Sequence, residues 1–369
     1  MKISVYITSY NQKRYLKEAV ESVLAQTLKP CQIIIVDDCS SDGSQELIAG
    51  FRSQHPDLIT AIYHAQNTGV TQVRIDALQA VTGDYVTYVD GDDRFLPTKL
   101  EKEAKLLQAN LHAQIAFSNS FYMTEDGVHT GIWAEEAKPP EGYVFWQTFA
   151  RDFPRRNLFR MELVNYQAWK RIGFHDSNLY MYEDYDMRIR LTKHLQVVYY
   201  DEPLTEIRRH STGLSTSKSD RHFEALDYIY RKNKPLLNDL SKAERDYVGR
   251  KSGEWIARVA VRASDEALDE SQPHRAAKLL LNAWRYDPAV YIERLQQRKE
   301  QLERQDMRLQ QQSERLQRQA EQLEHLAAQN RSLNLQLSQL QNSWSWKITA
   351  PLRKVGGVLI NLIKSVWRK

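Results

Sequence analysis

The chain has few cysteines and no long apolar run, and each absence excludes a class of protein. Cys31 and Cys39 are the two cysteines in 369 residues. They lack the spacing of a zinc site or a redox pair, so we expect reduced structural thiols. The sequence contains neither about 18 consecutive uncharged apolar residues nor a basic N-terminal segment followed by an apolar core. We therefore expect no membrane-spanning helix, no secretory signal and a cytoplasmic location.

The net charge is small and unevenly distributed. The formal charge of the whole chain is +4, and the segment from Ser343 to Lys369 contains six Lys or Arg and no Asp or Glu, which leaves −2 for the rest. A body without excess positive charge is a poor partner for nucleic acid, so we expect none. The hydrophobic share of 42% is enough for the cores of two or three domains.

Strand-like and helical patterns alternate from residue 1 to about residue 100. The predicted strands are 3–8, 32–36, 58–63 and 85–89, and the predicted helices are 14–26, 44–53 and 71–81. This order indicates an α/β fold with a mostly parallel sheet covered by helices. Ligands of such sheets bind beyond the carboxyl ends of the strands.

Polar residues follow three of these strands and should meet in one cleft. They are Thr8-Ser9-Tyr10-Asn11, Asp37-Asp38 and Asp90-Gly91-Asp92-Asp93. The last group suits Mg²⁺ or Mn²⁺, which are held by one or two carboxylates and by substrate phosphates. The alternative is an acidic turn before a helix that starts near Pro97.

The middle of the chain, 110–215, is predicted to contain strands and loops rich in aromatic residues. For each one, the alternatives are stacking on a sugar and packing in the core. The set is Trp133, Tyr143, Trp146, Phe149, Tyr166 and Trp169. Helical patterns at 223–231, 242–263 and 274–286 then predict a helical extension over 219–291.

A heptad pattern occupies 292–343 and predicts a coiled coil that forms homo-oligomers. The first core position is Leu295, Leu302, Leu309, Leu316, Leu323, Asn330 and Leu337. The second is Arg298, Gln305, Gln312 and Gln319, followed by Leu326, Leu333 and Leu340. The seam is therefore weak before Leu316, and Asn330 would fix register and oligomer number. The alternative is a solvated helix without a partner.

The tail, 344–369, combines tryptophans and aliphatic residues with six Lys or Arg. This composition favours a helix lying on the anionic cytoplasmic membrane surface. Docking on a membrane-bound assembly partner is the alternative.

Several motifs together resemble the family 2 inverting glycosyltransferases of the GT-A type over the first 215 residues. The motifs are Ser4-Val5-Tyr6-Ile7-Thr8-Ser9-Tyr10-Asn11, Ile33-Ile34-Ile35-Val36-Asp37-Asp38-Cys39-Ser40-Ser41-Asp42-Gly43-Ser44, Asn67-Thr68-Gly69, Gly83-Asp84-Tyr85 with the following Asp-x-Asp segment, and Tyr182-Glu183-Asp184-Tyr185-Asp186. Cys39 stands where Gly or Asn is commoner, and the Gln-x-x-Arg-Trp motif of processive synthases is absent. The ending 343–353 resembles tails of bacterial envelope-polysaccharide glycosyltransferases. The resemblance implies a GT-A mixed sheet with helices on both faces over 1–218.

The resemblance also implies how a nucleotide-sugar donor, carrying UDP, dTDP or GDP, is bound. Thr8 and Asp38 would contact the base, and Tyr10 would lie in the nucleotide loop. Arg74 would stabilise the leaving diphosphate, as a cation can when negative charge develops. A surface helix residue is the alternative for Arg74.

The Asp-x-Asp segment would hold the metal, Mn²⁺ or Mg²⁺. Asp90 would face the ribose or the metal, Gly91 would lie against the donor, and Asp92 would bind the metal that bridges the diphosphate. Asp93 is an alternative cap of the next helix. His210, in the motif that begins Arg208-Arg209, would reach the metal or diphosphate, unless it is a plain loop histidine.

Asp184 is the implied catalytic base, with Glu183 in support at the acceptor. An inverting transfer needs one carboxylate to take the proton of the acceptor hydroxyl. Neighbouring helical residues point about 100° apart, so both cannot face one hydroxyl. The alternative for both acids is stabilisation of a helix N-terminus.

The expected function is metal-dependent transfer of a sugar from a nucleotide donor to a growing, lipid-linked bacterial surface polysaccharide. The glycan or lipid-linked glycan acceptor would be met at the inner face of the cytoplasmic membrane. One alternative is a nucleotide-binding scaffold that organises partners through the coiled coil. A second is a nucleotidyltransferase, although no Gly-rich basic loop for a triphosphate follows the first strand.

Overall fold

A computed structural model describes residues 1–210 and 219–343, together with 347, 349, 353, 354, 356–358, 360 and 361. The chain divides into two compact units, Met1–Glu293 and Arg294–Lys369. The first unit contains the sheet and the helical extension. Most of the predicted tail, and residues 211–218 of the late basic motif, lie outside the described residues.

Four parallel strands form the N-terminal half of the sheet, in the order β3-β2-β1-β4. They are β1 (Ile3–Ser9), β2 (Gln32–Asp37), β3 (Ile59–Tyr63) and β4 (Tyr85–Asp90), and the helices between them are α1 (Lys13–Leu24), α2 (Ser44–Gln54) and α3 (Val70–Gln79). β1 is buried along its whole length, because helices cover both faces of such a sheet. Right-handed crossovers put α1 and α2 on one face and α3, which leads back past β1, on the other.

The second half of the sheet is mixed, with the order β4-β8-β6-β9-β5 and β7 paired to β6. Its elements are β5 (Arg94–Phe95), α4 (Lys99–Ala109), β6 (Ala113–Met123), β7 (His129–Ile132), α5 (Phe145–Ala150), β8 (Leu163–Asn165), α6 (Tyr166–Ile172), α7 (Glu183–His194) and β9 (Gln196–Arg208). β8 runs antiparallel to β4 and β6, whereas β9 runs parallel to β6. The mixed α/β sheet expected from the sequence is confirmed. The short helices α5 and α6 were not predicted, since six or seven residues show too little of the helical period.

Most of the aromatic residues singled out in the sequence fill the core. Trp133, Phe149, Tyr166 and Trp169 are buried, whereas Tyr143 is 66% exposed. Trp146 is partly buried and packs edge-on against Tyr247. For these four buried residues, the alternative of packing in the core is therefore correct.

Three helices form the extension: α8 (Ser219–Asn233), α9 (Lys242–Asp269) and α10 (Pro273–Tyr286). A capping box starts α9, in which the Ser241 side chain and the Glu244 side chain each bond the other's backbone N–H. α9 packs against α10 and against α5, where Ser252 donates a hydrogen bond to the Phe149 carbonyl at 3.2 Å. The extension is thus part of the same packed unit as the sheet.

One continuous helix, α11 (Pro288–Asn342), contains the heptad segment. Its 55 residues span roughly 80 Å at 1.5 Å per residue. The leucines of the heptad pattern are 46–67% exposed. The helix has the length and the apolar stripe that a coiled coil needs, and its pairing with another chain stays a prediction. None of the helices in the described parts of the chain is long and apolar enough to cross a membrane.

Gly91 is required by close backbone packing at the end of β4. A Cβ at this position would lie 2.6 Å from the Thr8 carbonyl oxygen and 2.5 Å from Gln12 Oε1. We expect Gly91→Ala to lower the free energy of unfolding by about 1–3 kcal/mol, the range for overpacking, as measured by chemical denaturation.

Gly50 provides the matched control within α2, where a Cβ would meet nothing within 4 Å. Gly50→Ala should raise stability by about 0.5–1 kcal/mol, because glycine is a poor helix former. Equal effects of the two substitutions would contradict the packing argument.

Candidate active site

The ends of β1 and β4 lie side by side and form the base of the candidate site. Thr8 is paired in register with Asp90, and Ser9 with Asp37 on β2. The Thr8 hydroxyl donates to Asp90 Oδ1 at 3.1 Å. The expected convergence of polar strand ends is therefore present in the fold.

Arg74 links this edge of the sheet to the N-terminus of α7. Its guanidinium lies 2.7 Å from Asp90 Oδ1 and 3.1 Å from Glu183 Oε1. It also stacks 4.5 Å from the centre of the Tyr88 ring. The side chain is 6% exposed, so the alternative of a surface helix residue is wrong.

Arg160 is a second cation at Asp90, and sequence reasoning missed it. Its guanidinium lies 2.7 Å from Asp90 Oδ2 and 3.6 Å from Asp93 Oδ2. Four residues near Arg160 have left-handed backbone conformations with positive φ: Arg151, Arg155, Arg156 and Met161. Strained backbone clusters at functional sites, but φ angles cannot be deduced from this sequence.

Asp93 is buried between β4 and β5, where it binds to β9 and does not cap a helix. Its Oδ1 accepts a hydrogen bond from the Arg208 backbone N–H at 2.8 Å. Helix α4 begins at Lys99 with Thr98 as its N-cap residue, so the alternative of Asp93 as a cap is wrong. Burial, and then repulsion by Asp92 and Asp90, hold the pKa of Asp93 well above its usual range despite the nearby Arg160.

Asp92 and His210 meet, as the metal hypothesis requires of them. Asp92 Oδ2 and His210 Nε2 are 2.8 Å apart. A carboxylate and an imidazole suit Mn²⁺, and a cation bound with a substrate diphosphate needs few protein ligands. Among the residues described, no group of three His, Cys, Asp or Glu could hold a metal. The third candidate, Asp90, has both oxygens in contact with Arg74 and Arg160.

Asp38 is nearly enclosed by donors from the loop before α3. Its oxygens accept from the Thr68 backbone and hydroxyl, from the Gly69 backbone, and from His64 Nδ1, each at 2.8 Å. Burial alone would raise the pKa of Asp38, but these bonds outweigh burial and lower it. A carboxylate kept ionised in this way can still accept at Oδ2, which has one protein donor. Tyr10 follows the neighbouring strand β1 and is 49% exposed.

Glu183 and Asp184 begin α7 and differ in exposure and in partner. Tyr182 precedes them with φ of 57°, which turns the chain sharply into the helix. The Glu183 side chain is 7% exposed and Asp184 is 33% exposed. Asp184 Oδ2 accepts from Arg188 at 2.6 Å.

The two neighbouring acids have opposite pKa shifts. Burial, and then the charge of Asp184, raise the pKa of Glu183 to about 7. For Asp184, burial acts in the same direction, but Arg188 and then Arg74 outweigh it and hold the pKa below the usual range. Near neutral pH, Asp184 is therefore ionised, whereas Glu183 is protonated in part of the molecules.

The carboxylates of the Asp-x-Asp segment and of α7 lie in one electrostatic cluster. Asp184 raises the pKa of Asp90, and the same cations, Arg74 and Arg160, lower the pKa of both. A cavity of about 680 Å³ lined by Arg190 and His194 lies instead at the other end of α7. That cavity is therefore separate from the acids at the strand ends.

The site thus combines acids at the strand ends of an α/β sheet with a second acid pair at the start of α7. Residues 4–168 match the family model described as Glycosyl transferase family 2. This segment, 165 of the 369 residues, therefore forms a glycosyl transferase family 2 domain.

Relatives that are similar in sequence carry glycosyltransferase names as well. The chain is 29% identical over 248 residues to the E. coli colanic acid biosynthesis glycosyl transferase WcaA, which covers 65% of this chain and 84% of that protein. It is 35% identical over 127 residues to the B. subtilis teichuronic acid biosynthesis glycosyltransferase TuaG, which covers 34% of this chain and 49% of that one. It is 42% identical over 110 residues to a Nostoc glycosyltransferase, alr2836, covering 30% of this chain and 34% of that one. The chain thus spans half or less of the length of the last two.

The solved structures show the fold alone, because their sequences are distant. S. aureus TarS 1-349 in complex with UDP-GlcNAc has a TM-score of 0.58 at 18% identity, over 78% of this chain and 83% of that one. The mannosyltransferase PcManGT from Pyrobaculum calidifontis, in complex with GDP-Man and Mn²⁺, has a TM-score of 0.50 at 16% identity, over 79% and 85%.

The shift of Glu183 predicts a pH dependence of folding stability. Its pKa rises from the ordinary value of 4.5 to about 7 on folding, so the folded state binds the proton more tightly. The contribution to stability is present below about pH 4.5 and is lost as the pH rises through about 7. Each pKa unit corresponds to about 1.4 kcal/mol.

We expect Glu183→Gln to remove this dependence. The free energy of unfolding of the wild type should fall relative to that of the variant between about pH 5 and pH 7, as measured by urea denaturation. Parallel curves for the two proteins would show that the pair Glu183 and Asp184 does not titrate in this way.

Proposed function

We propose that this chain is a metal-dependent, inverting glycosyltransferase that moves a sugar from a nucleotide donor to a hydroxyl of a bacterial surface polysaccharide. The observation that carries the proposal is the position of Asp184. This acid is ionised and one-third exposed, beside the cluster of Asp90, Arg74 and Arg160 at the strand ends. This arrangement would put a base for the acceptor beside the binding site of the donor.

The donor diphosphate would lie over the ends of β1 and β4. Asp92 and His210 would hold the divalent cation, which supplies positive charge to the leaving diphosphate. Arg160 is 32% exposed and forms ion pairs with Asp90 and Asp93, so its guanidinium can turn to the diphosphate. Arg74 is more buried and would act mainly by holding Asp90 in place.

Asp184 would act as the general base. It takes the proton of the acceptor hydroxyl while the acceptor oxygen forms a bond to the anomeric carbon. The bond from that carbon to the diphosphate oxygen breaks, and its electron pair leaves with the nucleoside diphosphate. Glu183 has a pKa closer to neutral, which favours a base, but its enclosed side chain cannot reach an acceptor. Exposure therefore decides for Asp184.

The donor class follows from the fold and from the site. Thr8, Tyr10 and Asp38 lie where a base would bind, and Asp38 Oδ2 can accept from a ring N–H. The complexes of TarS with UDP-GlcNAc and of PcManGT with GDP-Man and Mn²⁺ support a nucleotide sugar with a divalent cation. We propose a UDP-sugar, with dTDP- and GDP-sugars as the alternatives.

The acceptor class is supported by the names of WcaA and TuaG, which belong to colanic acid and teichuronic acid biosynthesis. We propose a lipid-linked glycan that is met at the inner face of the cytoplasmic membrane. The basic tail would bind that membrane or an assembly partner there. The coiled coil of α11 would join several copies, so that one acceptor meets several active sites.

The proposal is tested by measuring the release of nucleoside diphosphate from a panel of nucleotide sugars, with a bacterial membrane lipid extract as acceptor and with or without Mn²⁺. Asp184→Asn should lower kcat by about 10²–10⁴-fold, the usual contribution of a general base, while donor affinity in calorimetry stays unchanged. Asp92→Asn should instead abolish the Mn²⁺ dependence of donor binding.

Asp126→Asn is the control, because that acid is 82% exposed and forms a surface ion pair with Arg14. It should behave as the wild type. Full activity of Asp184→Asn would place the base elsewhere, and a wild type that binds no nucleotide sugar would exclude the proposed function.

Substitution of two leucines of similar exposure on α11 tests whether this helix forms a coiled coil with other copies of the chain. Leu333 belongs to the heptad seam and Leu335 does not, although they are 61% and 64% exposed. Leu333→Glu should shift sedimentation towards the monomer, since a charge in the seam has no partner, whereas Leu335→Glu should not. A monomeric wild type would contradict a coiled coil.

A further inference from the structure

Arg188 is a fully buried arginine in the middle of α7, one helical turn after Asp184. Its side chain is 1% exposed. Taking a guanidinium out of water costs several kcal/mol unless its partners are well placed. An apolar side chain of similar volume would fill this position at lower cost, so the partners of Arg188 indicate what it does.

The partners of Arg188 form a chain that ends at Asp184. One terminal nitrogen donates to Asp184 Oδ2 at 2.6 Å, and the other donates to the Tyr88 hydroxyl at 2.8 Å and to Glu162 Oε2 at 3.0 Å. Arg188 Nε also lies 3.0 Å from Glu162 Oε1, but its alignment there makes an ion pair without a hydrogen bond. Glu162 is itself 1% exposed.

This geometry fixes the direction of the Asp184 carboxylate. A planar guanidinium held on one side by Glu162 and Tyr88 can offer its remaining N–H groups in one direction only. The Asp184 Oδ1 atom accepts from the Tyr185 backbone N–H at 2.8 Å. Hydrogen bonds from Arg188 and from the Tyr185 backbone thus orient both oxygens of Asp184, while one-third of its side chain faces solvent.

We propose that Arg188, held by Glu162, is a positioning residue that sets the orientation and the proton affinity of Asp184 for sugar transfer. The inference rests on the proposed function of Asp184 and concerns two residues that no motif pointed to. Arg188 does not touch the substrate. It acts by keeping the exposed carboxylate ionised and aimed at the acceptor hydroxyl.

The other groups around Asp184 do not replace this role. Glu183 and Asp90 repel its charge, and Arg74 and Arg160 attract it without a hydrogen bond to it in the structure. His175 is buried and its pKa is lowered to about 3, chiefly by burial, so it stays neutral. The charge of Asp184 also helps to raise the pKa of the Tyr182 phenol above its usual range, although burial is the larger cause.

The test compares a double variant with a matched ion pair on the same helix. Arg188→Met with Glu162→Met removes both buried charges together, so neither is left unpaired. We expect kcat to fall by about 10- to 100-fold, as small misplacements of catalytic groups do, with donor KM within about twofold. The acidic limb of the pH profile should move to higher pH, and Arg188→Lys with Glu162 intact should restore part of kcat.

Arg190 provides the control, because it also pairs with an acid four residues before it, Asp186, at 2.9 Å. Arg190→Gln should lower the melting temperature and leave the acidic limb in place. An unchanged kcat and acidic limb in the double variant would overturn the inference, as would an equal shift of the limb in Arg190→Gln.

The proposed function and this inference can fail separately. If the wild type transfers no sugar, the proposed function is wrong, and the pKa of Asp184 from carboxyl-carbon NMR titration still decides the inference. That pKa should be higher in the double variant than in the wild type. An unchanged value would show that Arg188 does not control Asp184.

Discussion

The buried guanidinium of Arg74 joins the two halves of the active site. It contacts Asp90 at the end of β4 and Glu183 at the start of α7, residues that are 93 positions apart in the chain. Without a cation between them, these acids and Asp184 would repel one another in a poorly solvated space. The sheet edge and the helix can therefore approach only because this arginine, supported by the Tyr88 ring, lies between them.

The same balance of charge explains how the cleft can accept a donor. Acids from two segments, Asp90, Asp92 and Asp93 and then Glu183 and Asp184, lie beside the guanidinium groups of Arg74, Arg160 and Arg188. An anionic diphosphate alone would be repelled by the acids, so it needs to enter with a cation or to recruit an arginine. Burial raises the pKa of Asp93, and raises that of Glu183 to about 7, so these two acids repel an anion less than freely ionised carboxylates would.

The sequence allowed us to predict elements and motifs that depend on the local order of residues. It did not allow us to predict side-chain contacts that form by packing across the sheet. Strand ends, the Asp-x-Asp segment and the acids of α7 were predictable, because period and motif spacing are local properties. Arg160 was missed, since only the left-handed turns before β8 bring it to Asp90. Arg188 and Glu162 were missed for a related reason, because a buried ion pair has no signature along the chain.

The contact of α9 with the start of α7 blurs the boundary between enzyme and accessory region. Trp255 on α9 packs edge-on against the rings of Tyr182 and Tyr185, and His222 on α8 is hydrogen-bonded to the Tyr182 hydroxyl at 2.9 Å. Tyr182 holds the left-handed turn from which the acid pair emerges. A fragment that keeps the local structure at the start of α7 would thus have to extend beyond residues 4–168 and include α8 and α9, because the turn at Tyr182 depends on these contacts.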